Sequence, residues 1–234
     1  MTIFLNYFLL FLIYSILGWI MESTYVFIKN KKFVNRGFLL GPYCPIYGFG
    51  AIIIILYLNQ YKDNLLTVFI MSMVLCSILE YVTSFLMEKL FNTRWWDYSN
   101  KKFNLNGRIC GYNSLLFGIA SIVVLYLINP LVTDIIKFLN TTALCIISSI
   151  GLIIFLTDTI ISCNIINKLK STVKSLDVKS KDSTTEITKM VRENLKASHK
   201  TFQTRIIKAF PHINFENIVN RKRKNIIKRL FNKK

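Results

Sequence analysis

Runs of about 20 mostly apolar residues recur between residues 3 and 166, and no other feature of the chain constrains its fold as strongly. A helix needs about 20 such residues to cross a hydrocarbon core of roughly 30 Å. Within lipid, a helix also satisfies its own backbone donors and acceptors. The expected fold class is therefore all-α: a polytopic helical membrane protein of about five transmembrane helices, followed by amphipathic C-terminal helices. The spacing places the crossings at about 3–28, 38–58, 65–91, 109–128 and 141–166. The second has a clean apolar run only over 45–58, entered through the irregular Gly41-Pro42-Tyr43-Cys44-Pro45. Asn129-Pro130 is expected to break the fourth helix, leaving 131–139 as a linker. The first run, Ile3 to Ile20, has no basic segment before it and exceeds a signal-peptide core of about 7–15 residues, so it reads as a first membrane helix.

Charge divides the chain. Residues 1–166 carry 11 Lys/Arg against 7 Asp/Glu, whereas 167–234 carry 19 against 5, out of a net charge of +18. The expected organisation is a membrane domain over 1–166 and a basic tail over 167–234. Short cytoplasmic loops concentrate Lys and Arg. Loop 29–37 has Lys29, Lys31, Lys32 and Arg36, and loop 92–108 has Arg94, Lys101, Lys102 and Arg108. The alternate connections hold only Lys62 and Lys137. Five crossings then place the N-terminus outside and the tail in the cytoplasm.

The tail reads as partly helical. Ser183-Thr184-Thr185-Glu186 fits a capping box, and Ile187 to Phe210 follow a helical stripe that Pro211 ends. Arg221, Lys222, Arg223, Lys224, Lys228 and Arg229, interleaved with aliphatic residues, read as a surface for anionic lipid, at about 1 kcal/mol per basic group. Nucleic acid is not expected as a partner, because no aromatic platform accompanies the basic run.

Carboxyls inside membrane helices mark the chemistry. An ionised side chain at a helix centre costs on the order of 2.5–3.5 kcal/mol on insertion scales, so each needs a partner or a purpose. Glu22, Glu80, Glu88 and Asp158 are the four, all in the cytoplasmic half or at the midplane of the expected topology. Arg36 and Arg108 lie at the same end and can fasten those carboxyls or hold an anion, since a guanidinium fork fits a carboxylate or a phosphate. Glu22, Glu80, Glu88, Arg36 and Arg108, with Asn35, Tyr43, Tyr47, Trp96, Asp97 and Asn106, form the candidate polar cluster and substrate site. The glycines and prolines of 41–50 fit either tight helix entry or carbonyls lining a cavity. Trp95-Trp96-Asp97-Tyr98 fits either an interfacial anchor or a loop folded over the cluster.

Other chemistries find little purchase. The five cysteines are dispersed and form no CxxC pair, which fits packing residues. Both histidines, His199 and His212, lie in the tail. No metal-ligand spacing, cofactor motif or catalytic constellation stands out, and no GxxxxGK[ST] loop supplies an ATPase within the chain.

One string is distinctive: Phe33-Val34-Asn35-Arg36-Gly37-Phe38-Leu39-Leu40-Gly41-Pro42-Tyr43-Cys44-Pro45-Ile46-Tyr47-Gly48-Phe49-Gly50. With Gly18-Trp19-Ile20-Met21-Glu22, Leu79-Glu80-Tyr81, Trp95-Trp96-Asp97-Tyr98 and Phe103-Asn104-Leu105-Asn106-Gly107-Arg108, it resembles the bacterial membrane-protein family described as "putative ABC transporter permease, type IV". The resemblance covers about residues 5–125. It implies a multi-helix membrane protein working in transport beside a separate ATPase subunit, and it brings no catalytic residues. A five-helix permease would be expected to form a homo-oligomer to enclose a path. Two other functions fit the residues: an enzyme acting on a lipid headgroup at the cytoplasmic interface, and a non-catalytic scaffold whose tail binds a partner.

Overall fold

A computed structural model describes residues 2–175, 189–191, 193–195, 201–211, 213, 215 and 218. The basic stretch 221–229 and the capping box at 183–186 lie outside them. The described chain is helical almost throughout: α1 (Thr2–Asn30), α2 (Pro45–Leu58, continued by a 3₁₀ turn at Asn59–Tyr61), α3 (Leu65–Phe91), α4 (Gly111–Ile122), α5 (Asn129–Lys137), α6 (Thr141–Ser175) and α7 (Thr201–Ala209). The strands β1 (Asn104–Leu105) and β2 (Ile109–Cys110) pair antiparallel in a small hairpin.

Four helices are long and apolar enough to cross a membrane: α1, α3, the continuous Gly111–Lys137, and Thr141–Val173 within α6. The shorter apolar helix Pro45–Tyr61 lies at the lower limit of about 17 residues for a crossing. The protein is a multi-pass, all-α membrane protein.

Helix boundaries differ from the sequence expectation in three places. The second helix starts at Pro45, not at residue 38, and 38–44 is irregular. Pro42 and Pro45 disfavour helical geometry in the residues before them, and the freed amides find partners elsewhere: Cys44 N donates to the Ser15 carbonyl at 2.8 Å. The second difference is at Asn129-Pro130, where the helix does not break. A π-helical turn, Val123–Ile128, joins α4 to α5, and the Asn129 amide reaches back to the Val124 carbonyl. The wider turn resets the hydrogen-bond register just ahead of the proline that lacks a donor, so 131–137 continue as helix rather than linker. The third is α6, which runs to Ser175 instead of ending near 166.

The chain folds into two compact units. Unit 1 comprises Met1–Thr83 and Tyr98–Ile160. Its α1–α2 contact depends on missing side chains: a Cβ at Gly18 would collide with the Tyr47 ring, and one at Gly48 with Ser15 and Phe11. Leu9, Leu10 and Tyr14 of α1 pack with Ala51, Val132, Ile136 and Leu144, and a second core joins Ile54, Leu58, Val68 and Leu125. Along α3, Leu66, Ile70, Val74, Ile78 and Val82 are exposed at four-residue spacing, while Val68, Ser72, Ser77 and Glu80 are buried. The exposed apolar stripe suits lipid and the polar residues sit on the packed side.

Unit 2 comprises Ser84–Asp97 and Ile161–Lys234. Trp95, 2% exposed, packs edge-on against Phe91 and Phe210 at centroid distances of 5.9 and 4.8 Å. The same unit also buries Ile166, Leu169, Val173, Ile206, Ile207, Phe215 and Ile218. Trp95 is thus a core residue of this unit rather than an interfacial anchor.

Candidate functional site

At the end of unit 1 carrying segments 31–44 and 98–110, α1, α2 and α3 bring polar groups together. Glu22, on the last turns of α1, accepts from Arg36 Nε at 3.3 Å and from the Tyr47 hydroxyl at 2.5 Å. Gly18, one turn before Glu22, makes room for the Tyr47 ring, so the same α1–α2 packing that removes a side chain positions the phenol. Arg36 is carried by an irregular segment that Asn35 ties down: its Oδ1 accepts from Trp19 Nε1 at 2.7 Å, and its Nδ2 donates to the Leu40 carbonyl at 2.8 Å. Gly37, at φ 101°, follows Arg36 in a conformation few side-chain-bearing residues adopt.

Glu80 comes from the packed side of α3. It is 7% exposed, and Oε1 accepts from the Tyr98 hydroxyl at 3.2 Å. The Asn113 amide, at the start of α4, lies beside the same pair, and Glu22 is within electrostatic reach. Oε2 of Glu80 is buried and accepts no hydrogen bond among the described residues. Burial, then the nearby Glu80 carboxyl, push the Tyr98 phenol well above its ordinary range, so Tyr98 donates as a neutral hydroxyl. The arrangement holds two carboxyls and one guanidinium, framed by two phenols.

Asp158 of α6 is supplied quite differently. Its carboxylate accepts from the amides of Leu40 and Gly41 at 2.9 and 2.7 Å and from the Tyr43 hydroxyl at 2.5 Å. Three donors converge on one buried acid, 8% exposed, and fasten the irregular segment to α6. Gly41 is needed there, because a Cβ would meet the Tyr43 ring. The segment therefore offers its amides to a carboxylate of the chain itself.

The remaining sequence candidates fall in other places. Asn106 donates to the Tyr81 hydroxyl at 2.9 Å, and the Arg108 guanidinium lies over the Tyr81 ring at 5.6 Å, so the two meet at one phenol. Glu88, Trp96 and Asp97 belong to unit 2. There Arg94 lies 3.9 Å from Glu88 and 3.5 Å from Asp97, and Trp96 is half-buried. Among the described residues no group of three or more His, Cys, Asp or Glu side chains is placed to hold a metal ion.

Three partners in the unit 1 arrangement and one in unit 2 carry no site signal in the sequence. Tyr98 stood in the aromatic string, but only as a neighbour of Asp97. Asn113 and Trp19 gave no motif signal. Arg94, the partner of Glu88 and Asp97 in unit 2, reads in the sequence only as one of the basic residues of loop 92–108. A polar residue one turn inside a predicted membrane helix, as Asn113 is, was the available clue.

Comparison with known proteins gives one family. Neither the curated proteins nor the solved structures contain a significant match to the chain. The family model described as "Putative ABC-transporter type IV" matches residues 9–163, about two thirds of the chain, spanning α1 to α6 and every residue of the Glu22–Glu80 and Asp158 arrangements. The chain belongs to this family of multi-pass membrane proteins.

Proposed function

We propose that this protein is the membrane-embedded component of a transporter, and that the group formed by Glu22, Arg36, Tyr47, Glu80 and Tyr98 is where it meets its substrate or coupling ion. One observation carries the site assignment: Glu80 is buried in an apolar helix with one carboxyl oxygen lacking any hydrogen-bond donor among the described residues. A carboxyl inside a membrane helix is costly unless partnered, and such residues commonly mark ion or substrate pathways. Family membership supports transport as the class of activity.

In this reading residues 1–166 form the membrane domain, α2 also crosses and brings the crossings to five, the N-terminus is outside and the basic tail 167–234 is cytoplasmic. The excess of Lys and Arg in segments 29–37 and 92–108 supports that orientation. The polar group then opens toward the cytoplasm. A separate ATPase subunit supplies energy, self-association completes the path, and the tail, with Arg221, Lys222, Arg223, Lys224, Lys228 and Arg229, lies on anionic lipid.

The test compares solutes accumulated by vesicles from cells containing and lacking the protein, by mass spectrometry. Glu80→Gln is expected to abolish the difference while leaving membrane insertion unchanged. Undiminished accumulation with Glu80→Gln overturns the site assignment.

A further inference from the structure

The hairpin between α3 and α4 has a feature that neither transport nor the Glu22–Glu80 group uses. Phe103 is 90% exposed, the highest exposure among the exposed large hydrophobic residues described, although the loop around it is tightly organised. Asn104 Nδ2 donates to the carbonyls of Ser99 and Lys101, its Oδ1 accepts from Gly107 N, and Gly111 N donates to the Phe103 carbonyl. Phe103 and Asn106 both sit at φ 53°. A bulky aromatic residue in left-handed backbone is uncommon, and such strain concentrates at functional positions. Here it holds an apolar ring out of the protein instead of folding it in.

We infer that the 101–105 segment is an interfacial anchor, Phe103 and Leu105 entering the bilayer at headgroup depth and Lys101 and Lys102 meeting anionic lipid headgroups. Two observations select lipid as the occupant. Phe103 lies against Gly111, the first residue of α4, whose exposed Tyr112, Leu115, Leu116 and Ile119 continue the apolar surface along one helix face. Chain connectivity thus places the ring where that membrane helix leaves the hydrocarbon. Lys101 and Lys102, both exposed, adjoin it and supply the charge that anionic headgroups match. Aromatic rings favour that depth, and lysine stems reach from it to the headgroups. The positive φ of Phe103 keeps the ring beside the lysines on a rigid hairpin.

The test uses the full chain in phosphatidylcholine vesicles with or without phosphatidylglycerol, with Phe103→Trp as reporter and Leu105→Trp as a second reporter should the first fail to fold. The native tryptophans give a background that is subtracted. The added indole is expected to emit blue-shifted light, to resist aqueous acrylamide and to be quenched best by lipids brominated near the headgroup. Brominated phosphatidylglycerol should quench it several-fold more effectively than brominated phosphatidylcholine, and Lys101→Gln with Lys102→Gln should remove that preference. Free quenching by acrylamide with none by bromolipid overturns the anchor. Shielding from both quenchers also overturns it, because the tip is then covered by protein. Equal quenching by the two lipids overturns the assignment of the lysines.

Discussion

Asp158 and Glu80 are both buried acids of unit 1, each in a helix apolar enough to span a membrane, and they are equipped in opposite ways. Asp158 receives three donors from a single irregular segment. Glu80 has the Tyr98 phenol and the Asn113 side chain on one side and keeps a buried oxygen without a donor among the described residues. A buried acid that is fully supplied fastens structure, and its removal strands its donors. A buried acid left short of donors contributes little to the fold, which is why Glu80 is the proposed functional one. Burial alone does not separate them, at 8% and 7% exposure; the separating feature is that both Asp158 oxygens have donors whereas Glu80 Oε2 has none among the described residues.

That contrast can be broken in graded steps. The largest expected effect is Asp158→Ala, which leaves two amides and a phenol without their acceptor. At about 1–3 kcal/mol for each stranded group, and with incomplete additivity, a loss of about 3–5 kcal/mol is expected, read as a lowered midpoint of thermal unfolding in detergent. Gly18→Ala comes next. Its methyl would collide with the Tyr47 ring, and overpacking of this kind costs about 1–3 kcal/mol. Because Tyr47 donates to Glu22, accumulation by vesicles should fall together with stability. Glu80→Gln is expected to change stability by under about 1 kcal/mol, since the orphan oxygen is replaced by an equally unserved amide, while accumulation is lost. The smallest effect on stability belongs to Arg36→Gln. The Arg36 and Glu22 side chains are 22% and 29% exposed, and partly exposed pairs contribute about 0–1 kcal/mol. Its effect should instead appear in transport.

The sequence showed α1, α3 and α6 through their apolar length, because membrane helices need no partner to declare themselves. It also showed which acids were anomalous. It did not separate Asp158 from Glu80, since donor supply comes from segment 38–44, whose path depends on Pro42, Pro45 and the Ser15 carbonyl together. Asn129-Pro130 misled for a related reason: local rules give a break, but a π turn upstream accommodates the missing donor and Asn129 gains the Tyr14 hydroxyl at 3.2 Å. Arg108 was legible as a cation at the right end, whereas its seat over Tyr81 follows from the hairpin's left-handed residues, which hydrophobic patterning does not reveal. The Trp95 packing against Phe210 joins residues far apart in sequence and had no local signal.

Asp158→Asn and Glu80→Gln, made in parallel, separate the fastening acid from the functional one when unfolding midpoint and vesicle accumulation are measured on the same preparations. A lowered midpoint is expected for Asp158→Asn, and for Glu80→Gln an unchanged midpoint with accumulation abolished. A destabilised Glu80→Gln that still accumulates solute, beside an Asp158→Asn of unchanged midpoint, would contradict that separation.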